Sequence, residues 1–111
     1  IRDIGKELLE HLGYEAIMAS DGEEVLREYQ NALDSQPFDA VILDLVVPNG
    51  MGGAETMERL LTMDPQVRAV VCSGYSNDPV MAHHLEHGFM AVLPKPFNVD
   101  QLQNVLRNVL E

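Results

Sequence analysis

Three short and almost wholly apolar runs, Ala40-Val41-Ile42-Leu43, Ala69-Val70-Val71-Cys72 and Met90-Ala91-Val92-Leu93, punctuate this chain, and each ends at polar or chain-breaking residues. Runs of this length without polar alternation predict strands covered on both faces, as in parallel sheets. The segments between them carry apolar residues at helical spacing. Ile1, Ile4, Leu8, Leu9 and Leu12 form one such stripe, with Gly13 as a left-handed stop. Glu15 to Ala19 is a further short strand, and Ser20-Asp21-Gly22 turns it into a helix capped by Asp21 and Glu24, with Val25, Leu26, Tyr29 and Leu33 inward. A third helix places Met57, Leu60, Leu61 and Met63 inward and ends near Pro65. Asp78-Pro79 opens a fourth, running through Val80, Met81 and Leu85 to His87 with Gly88 as its stop, and Asn98 with Gln101 caps a fifth that extends to Leu110.

The predicted order is αβαβαβαβα, which specifies a parallel sheet with helices on both faces. Such an alternation normally begins with a strand, so the first strand is expected upstream of Ile1. The 111 residues suffice for one domain and not for two. With 18 acidic and 7 basic residues and a net charge of -11, direct binding to nucleic acid or an anionic membrane surface is disfavoured, because either needs a basic face. No apolar stretch approaches the ~20 residues that span a bilayer. Cys72 is the single cysteine, which excludes an internal disulfide, predicts a buried strand thiol and is compatible with a cytoplasmic location.

In an open parallel sheet, ligands bind outside the carboxyl ends of the strands. That edge gathers Asp44 after the first apolar run, Ser73 after the second and Lys95 after the third. A carboxylate, a hydroxyl and an ammonium at one edge suit transfer of a phosphoryl group to the carboxylate. Asp44 would attack phosphorus, Ser73 would hydrogen-bond a phosphoryl oxygen, and Lys95 would neutralise charge. Each residue also has an ordinary reading, as a turn former, a strand terminus and a solvated loop cation. The spacing of His83 and His87 suits a metal, but a solvated polar face accounts for it better. The glycines after Asn49 match neither GxGxxG nor a Walker loop and read as a loop leading into a helix.

Asp44-Leu45-Val46-Val47-Pro48 with Gly52 downstream, Ser73-Gly74, and Lys95-Pro96-Phe97 together resemble the receiver domain of two-component response regulators. The segments 48–53, 73–76 and 93–97 look most like receivers at the C-terminal end of hybrid sensor histidine kinases. The resemblance implies one receiver domain over residues 1–111, with a flavodoxin-like (CheY-like) three-layer αβα sandwich of strand order 2-1-3-4-5 and strand 1 absent from the sequence. It implies that a histidine kinase or histidine phosphotransfer domain passes a phosphoryl group to Asp44, that Lys95 binds the acyl phosphate and that Ser73 is the switch hydroxyl. The backbone amides of Val46 and Gly74 would hold phosphoryl oxygens. Mg2+ would be bound by Asp44, by the Val46 carbonyl and by an acidic pair at the end of strand 1, upstream of Ile1; Asp3 lies within the first helix and is no substitute. Homodimerisation belongs to the same set of expectations. Val92 stands where many receivers carry a switch aromatic. The competing classes are a pseudo-receiver that acts only as an interaction module and a flavodoxin-like enzyme. The retained Asp44, Ser73 and Lys95 argue against the first, and the lack of a nucleotide loop argues against the second.

Overall fold

The computed structural model describes residues 4–14, 21–47, 50–74 and 78–110. Within them the chain forms α1 (Ile4–His11), α2 (Gly22–Leu33), β1 (Val41–Asp44), α3 (Gly53–Met63), β2 (Ala69–Ser73), α4 (Pro79–Ala82), β3 (Ala91–Pro94) and α5 (Val99–Leu110). The strand expected at Glu15 to Ala19 lies outside the described residues.

The three strands pair in chain order and in parallel, with Asp44 opposite Cys72 and Ser73 opposite Pro94. This is the order expected of the third, fourth and fifth strands. Alternation along β2 divides the interior into two cores, because successive side chains leave a strand on opposite faces. Ala69 and Val71 join Tyr29 of α2, Met57 and Leu60 of α3, Met81 of α4 and Phe89 in one cluster. Val70 and Cys72 join Leu93, Leu102, Leu106 and Val109 in the other, and Leu8, Leu9 and Leu12 pack against it. Helices α1 and α5 therefore cover one face, and α2 and α3 cover the other. This is the three-layer flavodoxin-like arrangement. No helix among the described residues is long and apolar enough to cross a membrane.

The predicted caps form. Asp21 Oδ1 accepts from the Glu24 amide at 3.0 Å. The Asn98 amide donates to Gln101 Oε1 at 2.9 Å, and the Gln101 amide donates to Asn98 Oδ1 at 2.8 Å, which is a reciprocal capping box. Tyr29 lies in the α2 stripe as predicted, and its hydroxyl donates to Asp64 Oδ2 at 2.6 Å. Burial, then that bond, holds the phenol above the usual tyrosine range, so it stays neutral and α2 remains tied to the end of α3.

One helix differs from expectation. α4 ends at Ala82 instead of His87, and residues 83–88 form turns held by bonds such as Glu86 N to His83 O at 3.0 Å and Gly88 N to Leu85 O at 3.1 Å. A helix in a protein is maintained mainly by an apolar face packed on the core. Here Met81 is buried but Leu85 is 72% exposed, and the histidines between them are weak helix formers. Gly88 still marks the stop, with φ +94. Leu85, expected within that helix, lies instead in the turns. The pairing of His83 with His87 on one helical face is lost as well, and no group of three or more His, Cys, Asp or Glu side chains among the described residues could hold a metal ion.

Candidate functional site

Backbone pairing carries the three strands to their ends and so fixes where the site residues stand. The Leu45 amide donates to Cys72 O at 2.9 Å, and the Lys95 amide donates to Ser73 O at 2.8 Å. Asp44, Ser73 and Lys95 therefore occupy one edge on a rigid frame. The Lys95–Pro96 peptide is cis.

Asp44 and Lys95 are in direct contact, although 51 positions separate them in sequence. Lys95 Nζ donates to Asp44 Oδ2 at 2.8 Å. Their side chains are 47% and 43% exposed respectively, so the pair is open to an incoming group. The Asp44 hydrogen bond raises the Lys95 pKa above the ordinary lysine value, while partial burial opposes the rise. The ammonium is thus firmly charged at neutral pH. Ser73 is buried at the end of β2, and Gly74 lies beside the Lys95 side chain. Val46 is exposed, two residues beyond Asp44. The oxygen donors available here, the Asp44 carboxylate and backbone carbonyls, suit a hard cation such as Mg2+, which keeps several waters.

Cys72 was expected as a buried strand thiol, and it is buried beneath this edge as the register partner of Asp44. Burial pushes its thiol up to about 11, a rise that nearby Lys95 reduces and Asp44 adds to. At neutral pH it remains a protonated packing residue.

The glycines after Asn49 act in close packing at the start of a helix. A side-chain carbon on Gly53 would lie 2.8 Å from Asp44 O and 3.1 Å from Leu45 Cα, both backbone atoms, so α3 begins directly against the end of β1. Gly53→Ala is expected to displace Asp44 and to lower stability. A packing conflict of this kind costs about 1–3 kcal/mol, and the better helix propensity of alanine returns at most about 1 kcal/mol. A lower urea midpoint in Gly53→Ala, with an unchanged m-value, is the outcome to check.

A concavity of about 230 Å3 lies at the opposite edge of the sheet, between Tyr29, Phe38, Asp39, Asp64 and Arg68. The Tyr29 hydroxyl there is already paired with Asp64.

The model of the response regulator receiver domain family matches residues 1–107, and the chain belongs to that family. It is 26% identical over 110 residues to sporulation initiation phosphotransferase F of Bacillus subtilis, covering 99% of this chain and 85% of that protein. It is 32% identical over 107 residues to the CAI-1 autoinducer sensor kinase/phosphatase CqsS of Vibrio cholerae, covering 94% of this chain but only 15% of that protein. The receiver domain of sensor histidine kinase PA1611 from Pseudomonas aeruginosa, with a magnesium ion in its active-site cleft, superposes with a TM-score of 0.82 at 21% identity, covering 96% of this chain and 85% of that one. The protein is a receiver domain of two-component signalling, with the flavodoxin-like fold that its sequence implies.

Thr56, a buried hydroxyl on α3, and Gly22, which packs against it, were not foreseen from the sequence. The four-residue spacing of Gly52 and Thr56 is the only sequence signal for the first, and many helical threonines share it.

Proposed function

We propose that residues 1–111 act as one receiver domain that accepts a phosphoryl group on Asp44 from a phosphohistidine of a histidine kinase or histidine phosphotransfer domain. An Asp44 carboxylate oxygen attacks phosphorus, the phosphorus–nitrogen bond breaks, and the imidazole leaves with the electron pair, giving an acyl phosphate. Lys95 offsets the charge on the phosphoryl oxygens, Ser73 donates a hydrogen bond to one of them, and the amides of Val46 and Gly74 hold the others. Asp44 and the Val46 carbonyl are two of the donors that would hold Mg2+, whose charge when bound would also offset that of the phosphoryl group. Attack of water on the acyl phosphate returns the resting state, so the domain signals rather than turning over a metabolite. The added charge, roughly two units, and the new acceptors are able to draw Ser73 and its loop toward Asp44.

The observation that supports this reading best is the 2.8 Å contact between Lys95 and Asp44 at the carboxyl edge of the sheet in a chain of this family. The acidic surface suits a basic docking face on the donor protein and disfavours direct contact with nucleic acid or an anionic membrane. The resemblance to kinase receivers favours a cytoplasmic domain of a hybrid sensor kinase, with homodimerisation as a further expectation. The test is incubation of the full natural protein with phosphoramidate or acetyl phosphate, with and without Mg2+. One phosphoryl group is expected to be added in a Mg2+-dependent manner, and Asp44→Asn is expected to reduce labelling to background. A natural chain that takes no label would leave the interaction-module reading.

A further inference from the structure

We infer that Thr56 is a positioning residue for Asp44, acting through the loop that joins β1 to α3; the inference rests on Asp44 being the phosphoacceptor. Thr56 is 1% exposed, and its hydroxyl donates to Gly52 O at 2.7 Å, alongside the Thr56 amide at 3.1 Å. Gly52 closes the loop that begins just after Asp44. The same loop is anchored on either side of that carbonyl, since the Gly53 amide donates to Leu45 O at 3.2 Å and the Gly22 amide donates to Met51 O at 3.1 Å.

Gly22 also gives the hydroxyl its setting. A side-chain carbon there would lie 1.9 Å from Thr56 Oγ1, so the first turn of α2 presses its bare α-carbon against this hydroxyl. Thr56 thus sits where α2, α3 and the acceptor loop converge. Within the helix its back-bond looks ordinary, and Thr62 makes the same kind of bond to Glu58 O at 3.2 Å. The surroundings separate the two. Thr62 is exposed on the outer face of α3, whereas Thr56 fixes the last carbonyl of the loop that carries Val46, whose backbone the proposed chemistry uses.

Deleting the Thr56 hydroxyl without changing side-chain shape should therefore loosen the loop and slow phosphorylation while leaving the fold in place. The comparison uses the full natural protein with Thr56→Val, Thr56→Ser and, as an identical chemical deletion elsewhere on the helix, Thr62→Val. Amide hydrogen exchange at Gly22 and Gly53 is read without Mg2+, and the rate of phosphoramidate labelling is read across a Mg2+ titration. Thr56→Val should accelerate exchange at both amides by about fivefold, the scale of one lost hydrogen bond, and slow labelling by a similar factor. Thr56→Ser should restore both, and Thr62→Val should change neither. Labelling by Thr56→Val at the unsubstituted rate, or a Thr56→Ser as impaired as Thr56→Val, would overturn the proposal. No labelling of the unsubstituted protein would remove the phosphoacceptor reading, and the positioning of Asp44 for phosphotransfer with it. Exchange at Gly22 and Gly53 would still report separately whether Thr56 holds the loop.

Discussion

Lys95→Ala is expected to lower the rate of phosphoryl acceptance by about 10²-fold or more while leaving the domain folded. Removing one preorganised group that stabilises transition-state charge costs on the order of 10²–10³ in rate. The same ammonium contributes little to stability, because the Asp44–Lys95 pair is nearly half exposed and such ion pairs are worth about 0–1 kcal/mol. The thermal midpoint should therefore move by no more than a few degrees. The pH dependence has a definite sign. The lysine value is raised in the folded state, so the stabilisation from the pair is fully present below the ordinary lysine value and fades only as pH rises through the folded value, in alkaline solution. Lys95→Arg should not restore the full rate, because a planar guanidinium does not reproduce a compact ammonium at the end of a flexible stem. Stopped-time labelling with calorimetry on the same samples separates the two effects. A large fall in midpoint with an unchanged rate per folded molecule would make Lys95 a structural residue.

Phe89→Ala should show the opposite pattern, with a large loss of stability and no direct effect on the chemistry. Phe89 is the largest fully buried side chain among the described residues and shares a core with Met57, Leu60, Val71 and Met81. Truncation of a buried phenylalanine costs about 3–5 kcal/mol, a large share of the 5–15 kcal/mol that holds a typical domain together. A fall in thermal midpoint on the order of 15–25 °C follows for a domain of this size. Leu85→Ala, four positions away and largely exposed, should stay within about 0.5 kcal/mol of the natural protein. The contrast checks the correction to α4, because a helix continuing to His87 with Leu85 inward would make both substitutions costly. Phe89 also fits ordinary packing, so labelling per folded molecule should be unchanged in Phe89→Ala.

The fold was legible because its strands are short, apolar and covered on both faces, a pattern that helices do not imitate between glycine and proline punctuation. The described strands lie within a residue or two of the apolar runs, and Ser73 and Pro94 prove to be their last members. The caps at Asp21 and Asn98 were readable because capping is local chemistry. The α4 segment was misread for the converse reason. Val80, Met81 and Leu85 imitate a stripe, but whether Leu85 reaches the core depends on neighbours distant in sequence. The meeting of Asp44 with Lys95 could be foreseen only through the topology, since parallel strands bring their carboxyl ends to one edge. Thr56 was scarcely legible, since its spacing from Gly52 is shared by many helical threonines. A helical threonine acquires meaning only from Gly22, which arrives from another helix and leaves no mark in the local sequence.

The most direct measurement is chemical mapping of the phosphorylated residue. Borohydride reduces an aspartyl phosphate to homoserine, so labelling of the full natural protein, reduction and peptide sequencing report which position carried the group. The account predicts homoserine at position 44 and nowhere else, in amounts that follow Mg2+. A reduced residue at any other position, or a phosphoryl group that survives as a phosphoserine or phosphohistidine while Asp44 is recovered intact, would contradict it.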